Sequence, residues 1–332
     1  MAISLVTGGC GFIGRHLVDA LVGRGEAVRV LDIAAPGDLP RRVELARGSI
    51  LDRAAVDAAL HGVDRIYHLA GIAHLWASDK GSFDRVNWLG TETMLAAARD
   101  HSVKRMVHCS TESILLPKRG CAAVIDEDAP PALGDMPGPY TRSKHRAEQA
   151  ALRAAGDGLD VVVVNPTVPI GPGDRNMTPP ATMLALFLDG GSPFFLDCVL
   201  NLVDVRDLAA GIVLAADRGR SGERYILGGD NVPLRKLLGQ LEAMSGRRMP
   251  RFTIPSGLAL SAGFASEWLS KITGGKPITS SEAVRLALRS APFDSGKAKR
   301  ELGYAPRPVG EALADAVRWL VERDEGAAQQ AA

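Results

Sequence analysis

A short apolar run, Ile3–Val6, leads into Thr7-Gly8-Gly9-Cys10-Gly11-Phe12-Ile13-Gly14. A helical pattern follows at once, with Phe12, Ile13, Leu17, Leu21 and Val22 on one face. Strand, glycine-rich turn and helix, in that order, suit a bound pyrophosphate. The glycines permit a tight turn and close approach of the phosphates, and the helix N-terminus offers N–H groups and the positive end of its dipole. The spacing is G-x-x-G-x-x-G rather than the G-x-G-x-x-G dinucleotide fingerprint, and a glycine-rich turn without a ligand is the plainer alternative. The next apolar run ends at Leu31-Asp32. A carboxylate there can bind both hydroxyls of an adenosine ribose and repels a 2′-phosphate, which favours NAD and makes NADP the lesser choice. An aspartate that merely opens a turn competes with that reading.

Val28–Leu31, Arg65–Leu69, Arg105–Cys109 and Val161–Val164 are further near-continuous apolar runs. Strands covered on both faces read this way. Amphipathic helical segments alternate with them, which predicts an α/β, doubly wound, parallel-sheet Rossmann fold. After Asn165-Pro166 the pattern loosens into a loop rich in Pro, Gly and Asp between Pro169 and Pro180. From Val232 the chain reads mainly helical and closes with Leu313, Val317, Leu320 and Val321 on one face. The expected division is a dinucleotide domain of residues 1–165 plus 200–228 and a smaller, mainly helical substrate domain of 166–199 plus 229–324. Residues 325–332 are expected to form a disordered tail.

The formal net charge of +1 gives no electrostatic case for nucleic acid or for an anionic membrane surface. Cys10, Cys109, Cys121 and Cys198 show no C-x-x-C pair and no metal spacing, so buried thiols in a reducing cytoplasm are expected and no metal site is. No basic region followed by an apolar stretch opens the sequence, so a secretory signal is not expected. The most apolar helical stretch, Ile254 to Ile272, is broken by Ser256, Ser261, Ser266, Glu267 and Lys271. It is too polar for an integral membrane span. A packed helix is expected; a surface helix that admits an apolar substrate is the alternative.

Tyr140 and Lys144 stand in Y-T-R-S-K after a breaker-rich loop (Pro130, Pro131, Pro137, Gly138, Pro139). Four residues apart, they share one helical face. A phenol with a pKa of about 10 is no base at neutral pH, and a neighbouring ammonium lowers that value. The spacing therefore predicts a proton-transferring tyrosine, against the plainer reading of a partly buried tyrosine beside a solvated lysine. Tyr67, Tyr225 and Tyr304 have no lysine four residues on. Ser110-Thr111 close the Arg105–Cys109 strand, at the end where open parallel sheets place ligands. A hydroxyl there can hold a substrate oxygen while Tyr140 moves its proton, or it can simply cap the strand end.

With those residues in view, the chain resembles the extended short-chain dehydrogenase/reductase superfamily over essentially its whole length. T-G-G-C-G-F-I-G resembles the cofactor loop, with Gly8, Gly11, Phe12, Ile13 and Gly14 as the implied contacts. His68-Leu69-Ala70-Gly71 resembles the segment passing under the dinucleotide. Val86-Asn87-Trp88-Leu89-Gly90-Thr91 is similar to the V-N-x-x-G-T helix, where Asn87 would support the site. Tyr140 and Lys144 match the catalytic pair and Thr111 the catalytic Ser/Thr, with Ser110 a possible substitute. Asn165, Pro166 and Val168 fall in the loop that touches the nicotinamide carboxamide, and Gly303-Tyr304-Ala305-Pro306 resembles the C-terminal signature. The resemblance implies a homodimer through the helices at 82–99 and 140–154. One departure is Gly48-Ser49-Ile50 where the superfamily usually has G-D-I, so Ser49 and Ile50 would meet the adenine without a charge.

The nucleotide-sugar members usually carry an arginine for the diphosphate. Here the matching stretch, Leu200 to Asp207, has Asn201 in its place, with Arg206 and Arg175 as possible anion contacts. Arginine suits a diphosphate because its fork binds bidentately. Apolar segments dominate the expected substrate side: Ile72, Leu75 and Trp76, Ile114–Leu116, Met183–Leu188, Phe194–Leu196 and the helix around Trp268. Much of this is expected to be core. The chain is similar to the 3β-hydroxysteroid dehydrogenase and dihydroflavonol reductase branch, and to the group labelled hopanoid-associated sugar epimerase. The resemblance implies an NAD-dependent oxidoreductase interconverting a secondary alcohol and a ketone on a hydrophobic small molecule. A nucleotide-sugar epimerase or dehydratase is the alternative, and a non-enzymatic dinucleotide sensor would not need the tyrosine–lysine pair.

Overall fold

The computed structural model describes residues 3–35, 37, 39–118, 123–128, 132–190 and 193–331, with side chains to residue 324. Cys121, Pro130 and Pro131 lie outside the described residues. The first half of the chain runs β1 (Ile3–Thr7), α1 (Phe12–Gly23), β2 (Ala27–Asp32), β3 (Glu44–Arg47), α2 (Arg53–Leu60), β4 (Val63–His68) and α3 (Gly81–Phe83). A π-helical turn (Asp84–Leu89), α4 (Gly90–Asp100), β5 (Arg105–Cys109), α5 (Pro139–Gly156) and β6 (Val161–Pro166) follow. The second half runs β7 (Val168–Ile170), α6 (Pro179–Leu188), β8 (Phe194–Phe195), β9 (Val199–Asp204), α7 (Val205–Arg218), β10 (Arg224–Leu227) and β11 (Asp230–Pro233). It continues with α8 (Leu234–Ser245), β12 (Phe252–Thr253), α9 (Ser256–Thr273), α10 (Ser281–Leu288), α11 (Gly296–Leu302) and α12 (Val309–Ala331).

Seven strands form one sheet in the order β10-β6-β5-β4-β1-β2-β3. Every pairing in it is parallel. The apolar runs become strands because both sheet faces are covered. In β6, Val162 and Val164 pack on one side with Leu17 and Leu21 of α1 and Leu208 and Ile212 of α7. Val161 and Val163 pack on the other with Met94 of α4 and Ala150 and Ala151 of α5. Successive side chains of a strand point to opposite faces, so one unbroken valine run serves two cores. The predicted Rossmann architecture is therefore the observed one.

The sheet is wider than the apolar runs foretell. β3 and β10 are its two edges, and both are only four residues long. Glu44 and Arg47 at the ends of β3 are exposed, as suits an edge strand.

Beyond β6 a second, smaller assembly builds on a three-stranded sheet, β11-β9-β7, and a two-stranded one, β12-β8. Its core joins Ile170, Leu184, Leu202, Leu237, Leu241, Leu313 and Leu320 from β7, α6, β9, α8 and α12. Residues 200–204 thus belong to the small sheet, whereas α7, which follows directly, returns to the central one. α12 continues to Ala331, so 325–331 extend a helix where a disordered tail was expected.

Candidate active site

The glycine loop leaves β1 and packs against the segment after β4. Gly8 adopts a left-handed φ of 71°, and a Cβ there would stand 2.8 Å from the Ala70 nitrogen. A Cβ on Gly14, inside α1, would meet the Gly8 carbonyl oxygen at 2.2 Å. Gly11 is the N-cap of α1; it offers no side-chain cap, and the first turn carries no acid. That leaves a helix N-terminus suited to an anion. Phe12 is buried and Ile13 partly so. At the end of β2, the Asp32 carboxylate accepts from the backbone N–H of Cys10 and of Ala34, both at 2.9 Å. It is thereby fixed beside the loop. Leu69 N–H donates to the Thr7 carbonyl at 3.1 Å and Ala70 N–H to the Thr7 hydroxyl at 3.2 Å, which ties the neighbouring segment, including Gly71, to the same strand end. Ser49 accepts from Leu51 N–H at 3.1 Å, and buried Ile50 packs on Gly90. Uncapped helix end, close-packed glycines and ribose-side carboxylate together fit a dinucleotide.

Thr111 follows β5, and Tyr140 and Lys144 lie in the first turns of α5. All three cluster at the C-terminal edge of the central sheet. Thr111 and Tyr140 are both buried, and the Thr111 hydroxyl lies close enough to the Tyr140 phenol to oppose the rise of its pKa. Thr111 Oγ1 also donates to Glu112 Oε2 at 2.9 Å and lies 3.2 Å from Ser113 Oγ. Lys144 Nζ donates to the Cys109 carbonyl at 2.7 Å. Tyr140 packs edge-on against Phe83, ring centroids 6.2 Å apart.

The electrostatics correct one expectation. The sequence predicts a tyrosine pKa lowered by Lys144. Instead the Tyr140 phenol is pushed up, first by burial and then by the Glu112 carboxyl. Lys144 is itself lowered by burial, and its ammonium is turned to the Cys109 carbonyl. Burial disfavours charge on either group, so Tyr140 is held as the neutral phenol. Glu112 is raised to about 7, again by burial, with the Thr111 and Ser113 hydroxyls opposing. The cluster therefore offers two groups, Tyr140 and Glu112, whose chemistry allows them to carry a proton.

A second layer of buried polar groups fixes this cluster. Asn87, in the π-helical turn, accepts from Ile72 N–H at 2.7 Å and donates to Ser143 Oγ at 3.0 Å; Ser143 Oγ donates to the Tyr140 carbonyl at 2.7 Å. Asn165 donates to the Thr111 carbonyl at 3.1 Å and to Glu148 at 2.8 Å. Its amide nitrogen thus braces the site from beneath. Pro166 ends β6 buried, and Val168 opens β7 partly exposed. Ser110 is buried, its hydroxyl without a partner among the described residues; Thr111 is the hydroxyl that meets Tyr140. His68 sits between the Thr7 and Thr91 hydroxyls at 2.8 and 3.0 Å and is lowered to about 3 by burial, then by Lys144.

Two residues that sequence reasoning missed belong here. Glu112 is adjacent to Thr111 and could have been flagged by that position alone. Glu282 gives no local signal. It reaches from α10 to the start of α5, accepting from Tyr140 N–H at 3.2 Å, Thr141 N–H at 2.9 Å and Thr141 Oγ1 at 2.7 Å. Gly138 can offer no side-chain cap, and a Cβ there would lie 2.1 Å from Glu282 Cδ. A remote carboxylate thus replaces the N-cap of the catalytic helix.

Other candidate residues are engaged elsewhere. Asn201 is buried and hydrogen-bonded to Gly229 and Asn231. Arg206 is held by Asp204 and Asp315. Ile114, Leu115 and Leu116 form a core with Met136, Ile226 and Phe293, and Leu184, Leu188 and Phe195 belong to the small-domain core. Ile72, Leu75 and Trp76 stay partly open and Trp268 is exposed. Burial raises the Cys10 and Cys109 thiols to about 11 and Cys198 to about 12. Among the described residues no cluster could hold a metal ion.

A dinucleotide cradle and a tyrosine–lysine–threonine cluster on a parallel sheet define a nicotinamide-dependent oxidoreductase. The model of the NAD dependent epimerase/dehydratase family matches residues 4–228, and the chain belongs to that family. It is 36% identical over 322 residues to a putative dihydroflavonol 4-reductase of Synechocystis, covering 95% of this chain and 93% of that one. It is 33% identical over 328 residues to sterol demethylase protein B of Methylococcus capsulatus, with 96% and 98% covered. The solved structure of gox2253 superposes with a TM-score of 0.84 at 34% identity, over 97% of this chain and 99% of that one. The protein is an NAD-dependent enzyme of the dehydrogenase/reductase type.

Proposed function

We propose that the enzyme interconverts a ketone and a secondary alcohol on a hydrophobic, sterol- or flavonoid-like substrate. The observation that carries this is buried Tyr140 and Thr111 together with Lys144, which donates to the Cys109 carbonyl, at the C-terminal edge of the sheet whose first strand leads into the glycine loop. NAD, when bound, supplies the hydride donor or acceptor. In the reducing direction Tyr140 gives its proton to the carbonyl oxygen as that oxygen gains charge. In oxidation it takes the proton back. Thr111 turns its one proton from Glu112 to the same oxygen and orients it. Lys144, in the first turns of α5 with Tyr140, stabilises the phenolate in passing and binds the nicotinamide ribose. Gly8, Gly11 and Gly14 shape the pyrophosphate cradle, and Asp32 takes the adenosine ribose.

The hydrophobic substrate class is supported by the relatives named as a dihydroflavonol reductase and a sterol demethylase protein. The engaged Asn201 supports it too, since a diphosphate would gain no cation there. Pairing of two copies along α4 and α5 belongs to the same reading, with Leu89 exposed on that side. A substrate screen following reduced-nicotinamide absorbance tests it, with sterols, flavanonols, aromatic alcohols and nucleotide sugars in parallel. Turnover confined to nucleotide sugars overturns the substrate class.

One observation favours a second reading. Glu112, raised to about 7 beside Thr111, is the additional acid–base group that elimination of water needs, as in a sugar-nucleotide dehydratase. Purified protein that retains its cofactor and gives no net reduction of added NAD would support this reading instead.

A further inference from the structure

Helix α9 is built inside out. The residues it turns to the protein are small or polar. Ala259, Gly263 and Ser270 are buried, and a Cβ on Gly263 would lie 3.2 Å from Ser281 Cα of α10. Ser266 accepts from Ile278 N–H at 2.9 Å, and Glu267 accepts from the Ser281 N–H at 2.7 Å and its hydroxyl at 2.9 Å. The large apolar residues face outward instead: Leu258, Phe264, Trp268, Leu269 and Ile272 are 51–65% exposed. At 3.6 residues per turn they share one side of the helix with Ser261, Ala262 and Ala265. Ile278 and Phe252, just beyond the two ends, are exposed as well. Single exposed apolar residues are ordinary, but a contiguous patch of this kind marks an interaction surface.

Charge names the occupant. From Gly246 to Ser281 the chain carries Arg247, Arg248, Arg251, Lys271 and Lys276 against a single acid, Glu267, although the whole protein is close to neutral; of these, Arg251 is paired with Glu242 just before the stretch. Glu267 is turned inward to Ser281 and Lys80, while Lys271 and Lys276 are exposed at the end of the helix. An apolar face with a tryptophan, edged by cations, matches the boundary of an anionic bilayer. No helix among the described residues is long and apolar enough to cross a membrane, so contact would be in the plane.

We propose that α9 seats the enzyme on anionic lipid surfaces. The surface adjoins the catalytic helix: Glu267 holds the start of α10, and Glu282, one residue beyond Ser281, caps α5. This proposal stands on the α9 face and its charges and does not depend on the substrate assigned above.

The test is co-sedimentation of the full-length protein with vesicles of equal parts phosphatidylcholine and phosphatidylglycerol, and with phosphatidylcholine alone. Expected are pelleting with the anionic vesicles, tryptophan quenching by brominated lipid that Trp268→Phe removes without releasing the protein, and at least a tenfold loss of binding in Lys271→Glu/Lys276→Glu. Equal pelleting on both vesicles, or none on the anionic ones, overturns it. So does a dimer in vesicle-free buffer that Trp268→Ser/Ile272→Ser converts to monomer, since the face would then belong to a second copy.

Discussion

The Glu282 carboxylate accepts a hydrogen bond from the backbone N–H of Tyr140 across 142 residues of sequence. The same group takes the Thr141 N–H and hydroxyl. The first turn of the catalytic helix is thus completed by α10 rather than by its own loop. Glu282→Ala should destabilise the protein by about 1–2 kcal/mol, the usual cost of a lost helix cap. It should also lower kcat while leaving KM for NAD near normal, because the glycine loop is untouched. Glu282→Gln, which keeps one acceptor, should recover much of both. Thermal melts with steady-state kinetics check this; an unchanged kcat in Glu282→Ala would mean that the cap does not position Tyr140.

Tyr140→Phe removes the proton carrier and keeps the ring against Phe83. Turnover should fall by roughly a hundred- to ten-thousandfold, the range of general acid–base catalysis. NAD affinity, read by titration calorimetry, should stay within a few-fold. Near-normal turnover in this variant defeats the mechanism.

Two groups set opposite pH trends in stability. Glu112 is raised in the fold from its ordinary 4.5 to about 7. The folded state therefore favours its proton, and that contribution is full below 4.5 and disappears as pH rises through about 7. Glu112→Gln should remove this decline. His68 is lowered from 6.5 to about 3, so its contribution is full above 6.5 and is lost as pH falls toward 3. For a ring this buried the loss is on the order of a few kcal/mol. Denaturant midpoints measured from pH 4 to 8 should separate the two through Glu112→Gln and His68→Asn.

Asp32, held by the Cys10 and Ala34 amides, is the residue proposed above to take the adenosine ribose. Asp32→Asn keeps the shape and removes the charge. The ratio of kcat/KM for NAD over NADP should fall by about tenfold, on the order of 1.4 kcal/mol of repulsion. A ratio that does not move would place the adenosine ribose elsewhere.

How much of this could be read in advance depended on distance along the chain. The valine run of β6 and the glycine loop announced the central sheet, because parallel strands and phosphate turns carry local patterns. Tyr140 and Lys144 were legible because one helical turn joins them. β3 and β10 were not, being edge strands of four residues each. Spacing records a neighbouring ammonium but not the burial that sets the direction of the Tyr140 shift. Glu282 was invisible for a plainer reason: its partners lie in another part of the sequence, and nothing around Ser280–Ala283 distinguishes it from an acid in the first turn of any helix.

That long-range cap has a consequence for how the protein matures. During synthesis the cradle emerges first, and Tyr140 emerges well before the residue that secures its amide. A nascent or truncated chain stopping short of α10 would own every atom of the tyrosine–lysine–threonine cluster and yet leave the head of its helix frayed. The contact that secures the Tyr140 amide therefore forms only once α10 has been made.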